Sequence, residues 1–232
     1  MRNLNNKDIT LIAPQGLDLS FYSNRFHLER VEWFNQEFFQ SISSYSKLLL
    51  SDKFYKRFQK YDFTLVLQTD AIVLKDALDA WTSLEYDYIG APWPNRWQMK
   101  VRIPELDRNS DFVARSFVGN GGLSLRKNNA ILDLLDQFCI SRSIWVENKW
   151  PEDLFFSMIG EYSQDFRTPN LSTAAAFSIE QEPLLMMKAN GNRLPFGLHA
   201  WKLHGANYWL KNGHLMPPSS VAAVYDLNES TL

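Results

Sequence analysis

The chain has a single cysteine, Cys139, in 232 residues. One cysteine excludes an internal disulfide and fits a reducing compartment. It lies in an apolar helical run, where a thiol is expected to be a small buried hydrophobe rather than a nucleophile. An excess of charge is also lacking: 24 Lys and Arg against 26 Asp and Glu leave a net charge of −2. That balance gives no electrostatic basis for holding nucleic acid. No apolar run approaches the roughly 20 residues of a membrane-spanning helix. The N-terminal Met1 to Asp8 lacks the apolar core of a signal peptide, so a cytoplasmic location is expected, with peripheral attachment at the inner face of the membrane left open. Internal repeats and low-complexity tracts are absent.

What is present is ample material for a core. Hydrophobic residues make up 45% of the chain, enough for one domain over residues 1–216, followed by a polar tail, 217–232. Aromatics reach 14%, with eight Trp. Most are expected to fill the core, although Trp and Tyr also cover the flat apolar faces of sugars well.

Asp8 to Ala13 reads as a short strand stopped by Pro14 and Gly16. Gln36 to Leu50 carries apolar residues at helical spacing, and Ser51 is placed to cap a second short helix. Phe63 to Leu67 reads as a buried strand, and Asp76 as the cap of a helix through Trp81. Glu85 to Pro94 is loop-like. Residues 95–116 are charged and without clear periodicity, as in a mobile functional loop. Phe117 to Leu125 contains three glycines, which allow backbone to approach a ligand. Asn128 to Ile140 is an amphipathic helix with Ile131, Leu134, Leu135 and Phe138 on one face. Pro151 opens a helix from Glu152 to Gly160, and Phe177 to Ile179 forms a short strand.

Three segments carry candidate chemistry. Gln68-Thr69-Asp70 ends the Phe63–Leu67 strand, and a carboxylate at the end of a core strand is costly to bury unless it is paired or holds a metal. Asn120-Gly121-Gly122 and Glu152-Asp153 follow in order. A carboxylate in the first turn of a helix is stabilised by the helix dipole, so Asp153 is expected to stay ionised without a pKa raised toward neutrality. Most such carboxylates merely cap.

Together these segments resemble the GT-A nucleotide-sugar glycosyltransferases. Gln68-Thr69-Asp70 looks like that group's Asp-x-Asp metal motif with Gln in place of the first Asp. Asn120-Gly121-Gly122 looks like its glycine-rich segment beside the donor and acceptor sugars. Glu152-Asp153 looks like the acidic pair that supplies the base in inverting members. The chain is also similar to an uncharacterised bacterial group of glycosyltransferase-like domains, through Gln68-Thr69-Asp70, Asp87-Tyr88-Ile89-Gly90-Ala91-Pro92-Trp93, Asn120-Gly121-Gly122 and Pro195-Phe196-Gly197-Leu198-His199. The likeness runs from about Asp62 to His199.

The resemblance implies an α/β fold: a GT-A-like, Rossmann-like mixed sheet flanked by helices. The strand at 8–13 is either the second strand of such a domain, with the first missing, or the first strand shortened. It also implies a divalent cation, Mn2+ or Mg2+, held by Asp70, by the neutral amide of Gln68 and by His199, with His204 in reserve. His27 and His214 have no such support. A nucleotide-sugar donor would meet Gln68, Thr69, Asp70, Asn120, Gly121, Gly122 and Arg126. Arg126 could equally be a solvated charge. A glycan or lipid-linked glycan acceptor would stack on Trp93 and Trp97, and Asp153, with Glu152 beside it, would act as base. The expected activity is metal-dependent, inverting sugar transfer in bacterial surface polysaccharide synthesis. A non-catalytic carbohydrate-binding or scaffold domain is the rival, and a phosphatase or nuclease using Asp70 and the histidines a weaker one, since such sites cluster more ligands.

Overall fold

The N-terminal strand forms as β1, Thr10–Pro14, in a computed structural model that describes residues 2–4, 7–24, 30–212 and 215. The tail at 217–232, His27 and His214 lie outside the described residues. After the short helix α1, Ser20–Ser23, comes a strand the sequence did not announce. This is β2, Arg30–Phe34, parallel to β1 with Thr10 opposite Arg30.

The helix expected over 36–50 is split. Gln36–Phe39 is a 3-10 turn, and α2 runs over Ile42–Leu49. The break is set by a capping box: the Ser41 side chain accepts from the Ser44 N–H, and the Ser44 side chain accepts from the Ser41 N–H. Ser51 caps α3, Asp52–Lys56, by accepting from the Lys53 N–H. β3 occupies Phe63–Leu67 and β4 Ile72–Val73. Asp76 is not a cap: α4, Leu78–Thr82, has Ala77 at that position and no side-chain cap bond.

The largest departure lies between residues 85 and 127. In place of two loops the chain forms a long hairpin, β5, Tyr88–Arg102, and β6, Asp111–Lys127. Pro92 and Pro94 are tolerated because β5 is the outer strand of its sheet and its register shifts between Ile89 and Trp97. The charged stretch hides a period of two. Gln98, Lys100, Arg102, Val113 and Arg115 form the wet face, while Val101, Ile103 and Ala114 enter the core.

α5, Asn128–Gln137, buries Ile131, Leu134 and Leu135 as expected, with Phe138 just beyond its end. The helix does not reach Ile140. The backbone leaves helical geometry at Phe138, and α6, Cys139–Glu147, begins anew. Glu105 caps α6, accepting from the Ile140 N–H at 2.7 Å and the Ser141 N–H at 2.9 Å. That break turns Cys139 outward, so the thiol is exposed rather than buried.

α7, Glu152–Ile159, is preceded by Pro151 in extended conformation. Then follow α8, Leu171–Phe177, β7, Ser178–Ile179, α9, Pro183–Ala189, β8, Gly197–Leu198, and α10, Trp201–Lys211. The fold is mixed α/β, but the single mixed sheet is replaced by three small ones, ordered β1-β2, β3-β6-β5 and β4-β8-β7. The main core joins α2, α3, α5, α6, α7 and the hairpin. Among the described residues no helix is long and apolar enough to cross a membrane.

Candidate functional site

Five chain segments meet at one cavity, among them the 3-10 turn and α2 from Phe39 to Ser46. β3 ends at Leu67, and the next residue is pinned to β6 by its backbone, the Gln68 N–H donating to the Gly122 carbonyl at 2.9 Å. The chain turns there, the Ala71 N–H closing on the Gln68 carbonyl at 3.0 Å. α7 packs on β6 with its first turn beside Gly121. His199 follows β8, its N–H bonded to the Ile179 carbonyl at 3.1 Å. The resulting cavity, about 480 Å3, is lined by Phe39, Ser41, Ile42, Tyr45, Ser46, Gln68, Asn120, Gly121, Gly122, Pro151, Glu152, Asp153 and His199. Its size suits a small-molecule ligand. Phe39 also borders a second depression, about 310 Å3, at the carboxyl ends of β1 and β2, lined by Pro14, Gln15, Gly16, Leu17 and Gln36.

The two neighbouring carboxylates differ sharply. Glu152 is buried against a fully buried arginine, its Oε1 accepting from Arg126 at 3.2 Å and its Oε2 from the Ser46 hydroxyl at 2.8 Å. Arg126 also donates to the Tyr55 hydroxyl at 2.8 Å and the Ser124 hydroxyl at 3.0 Å, between the rings of Tyr88 and Phe156. Neither the phosphate-binding nor the solvated role of Arg126 fits: it is walled off, and it neutralises Glu152.

Asp153 is only half-buried and opens on the cavity. Its Oδ2 accepts from the Gly121 N–H at 3.2 Å and its Oδ1 from the Leu154 N–H at 2.7 Å. The pKa is nevertheless pushed up to about 7, by desolvation first and the Glu152 charge second, against the pull of the two N–H groups and Arg126. This corrects the expectation of an unshifted carboxylate. The helix terminus favours the anion, but desolvation and the adjacent Glu152 charge outweigh it.

His199 gathers the other polar group. Its Nε2 lies 3.1 Å from Gln68 Oε1 and 3.3 Å from Asp70 Oδ1. Its Nδ1 faces Glu180 Oε1 at 3.5 Å. Burial lowers the His199 pKa, but Glu180, Asp70 and Asp153 outweigh it and the net shift is upward. Neighbouring donor atoms on an octahedral ion with bonds of about 2.1 Å stand about 3 Å apart, and the two separations from His199 Nε2 are near that; the 3.1 Å contact is equally a hydrogen bond. Among the described residues no three His, Cys, Asp or Glu come together as ligands; the set reaches three only through the Gln68 amide. Asp70 has a side chain 54% exposed, so a burial cost does not explain it, and it does not line the cavity, which it adjoins only through His199.

Other expected residues fall elsewhere. Thr69 is exposed and does not line the cavity. Trp93 packs in the main core and half-exposed Trp97 sits edge-on to it, 6.5 Å between centroids, away from the cavity lining. They form no acceptor platform there. The His204 ring lies 3.9 Å from Glu180 and does not line the cavity. The glycines leave room for site side chains: a Cβ on Gly121 would meet Glu152 Oε1 at 2.9 Å, and one on Gly122 would meet His199 Nε2 at 2.0 Å. Sequence reasoning missed Tyr45, Ser46 and Glu180. Ser46 and Tyr45 lay inside a helical pattern, and Glu180 followed a two-residue strand, with no spacing to mark either.

A cavity of this composition on a mixed α/β frame defines a protein with a built polar site joining two carboxylates, an amide and an imidazole. A family model described as protein of unknown function (DUF5672) matches residues 29–199, and the chain belongs to that family. The matched span includes every residue lining the larger cavity. No curated protein matches the chain.

Proposed function

We propose that this protein is a GT-A-like glycosyltransferase. It moves a sugar from a nucleotide-sugar donor to a glycan or lipid-linked glycan acceptor, with inversion and with Mn2+ or Mg2+, in bacterial surface polysaccharide synthesis. One observation carries the proposal: the Asp153 carboxyl opens on the same cavity as Gln68 and His199, and Asp70 lies 3.3 Å from the His199 ring.

Each residue then has a task. Gln68, Asp70 and His199 would hold the cation, which when bound neutralises the diphosphate leaving group. Asp153 takes the proton from the acceptor hydroxyl as that oxygen bonds the anomeric carbon. The bond to the diphosphate breaks on the opposite face, so the configuration inverts. Glu152, paired with Arg126 and Ser46, lies beside Asp153 and raises its proton affinity. The depression bordered by Phe39, Gln15 and Gln36 suits the nucleoside.

The test is release of nucleoside diphosphate from a panel of nucleotide sugars with and without Mn2+, beside calorimetry of Asp70→Asn. Cation-dependent turnover, and loss of metal-dependent nucleotide binding in the variant, are expected; unchanged affinity removes Asp70 from the site. A second reading, sugar binding without catalysis, is favoured by the neutral Gln68 where a carboxylate would hold metal harder. It predicts glycan binding with no cation-dependent nucleotide binding.

A further inference from the structure

The hairpin of β5 and β6 keeps one face in the core and one in water. Val101, Ile103 and Ala114 enter the core. On the other face Gln98 stands opposite Arg115, Lys100 opposite Val113 and Arg102 opposite Asp111, and all six are exposed. Cross-strand partners share a face, and every second residue repeats it. Phe117 continues the row, with the Arg96 guanidinium 4.1 Å over its ring. The wet face therefore carries Arg96, Lys100, Arg102 and Arg115 along about 20 Å of strand. Its carboxylates do not cancel them. Asp111 lies 3.0 Å from Lys100 and 3.4 Å from Arg102, so one charge serves two cations. Glu161 is close enough to Arg96 for their charges to interact. Arg115 donates to the neutral Gln98 amide oxygen at 3.0 Å and forms no salt bridge among the described residues. The face is positive in a chain whose net charge is −2. Between the cations stand two large apolar side chains, Val113 at 50% and Phe117 at 40% exposure.

We infer that this face docks the protein on an anionic lipid bilayer. Guanidinium groups match headgroup phosphates, which they can grip with two donors at once. Val113 and Phe117 gain by leaving water at the boundary of the acyl region. Lys and Arg stems can lie along them while the charged ends stay among the phosphates. A soluble acidic polymer fits the face less well. Sugars and bases are held by stacking on open rings, and Arg96 already covers one face of Phe117. The inference stands apart from sugar transfer, since none of these residues lines either depression.

The experiment is co-sedimentation of the full chain with vesicles of phosphatidylcholine alone, and of phosphatidylcholine with an equal part of phosphatidylglycerol. Binding to the anionic vesicles and not to the neutral ones is expected, weakening as salt is raised. Each cation near an anionic leaflet multiplies binding by roughly five-fold, so Lys100→Gln combined with Arg115→Gln should weaken it by about 25-fold. Lys53→Gln combined with Lys56→Gln removes the same charge from exposed positions of α3 and should leave binding nearly unchanged. All four side chains are exposed, so both double variants should fold. Equal binding by the two double variants overturns the inference, as does a wild type that ignores anionic vesicles at low salt. Capture by soluble polygalacturonate without capture by vesicles also overturns it, and would make the face a site for an acidic glycan.

Discussion

At the scale of single residues, Asp153 and Arg126 carry the sharpest consequences. General bases contribute typically ~10²–10⁴-fold, so Asp153→Asn should slow transfer by about that factor while donor binding stays near normal. Because the base must be ionised, the wild-type rate should fall as pH drops through about 7. The same shift acts on stability with the opposite sense. A carboxyl raised in the folded state binds more protons there than in the unfolded chain, so stability declines as pH rises from the unfolded value, about 3.9, to about 7. Asp153→Asn should therefore melt above wild type when pH exceeds 7 and lose that advantage in acid. A flat difference across pH would deny the shift. Arg126 tests the other carboxylate. Breaking a buried ion pair on one side costs about 3–5 kcal/mol, and Arg126→Met leaves Glu152 buried with Ser46 as partner. Denaturant unfolding of Arg126→Met, Glu152→Gln and the double variant should show a double loss smaller than the sum; additivity would mean the pair is not coupled.

At the scale of elements, β6 does two jobs. Its upstream half, Asp111 to Val118, is hairpin ladder, and its downstream half brings Gly121 and Gly122 under the side chains of α7 and His199. Gly122→Ala would put a methyl 2.0 Å from His199 Nε2, so the ring must move away from Gln68 and Asp70. Cation binding by calorimetry should fall as far as in His199→Ala, with a stability cost of about 1–3 kcal/mol as for overpacking elsewhere. Normal affinity would show that the β8–α10 connection yields freely. Elements with a strong local signal were legible. β3 matches its expected bounds, α3 starts at the capping Ser51, and the buried face of α5 contains Ile131, Leu134 and Leu135 as its spacing required. The hairpin was not, because its charged face broke the apolar pattern and its prolines signal a loop unless the strand is known to lie at a sheet's edge.

At the scale of the whole molecule, ligand binding should appear as stability. A nucleoside diphosphate at 100 times its dissociation constant, measured with Mn2+ present throughout, would add about 2.7 kcal/mol. For a chain of this size that is roughly 5–11 °C in melting temperature. Asp70→Asn should abolish the rise; a rise of equal size in the variant would locate binding elsewhere. The sequence by itself determined which residues could serve: the order of Gln68–Asp70, Asn120–Gly122, Glu152–Asp153 and His199, and the apolar faces that bury the helices beneath them. Only the tertiary structure decided how they serve. Burial of Arg126 removed it from the ligand's reach and made it the counter-charge of Glu152. Packing sent Trp93 into the core. Residues far apart in the chain, Gln68, Asp70, Glu180 and His199, came together only when the fold placed the imidazole between their oxygens. Desolvation and charge proximity depend on distances through space, and no spacing along the chain encodes them.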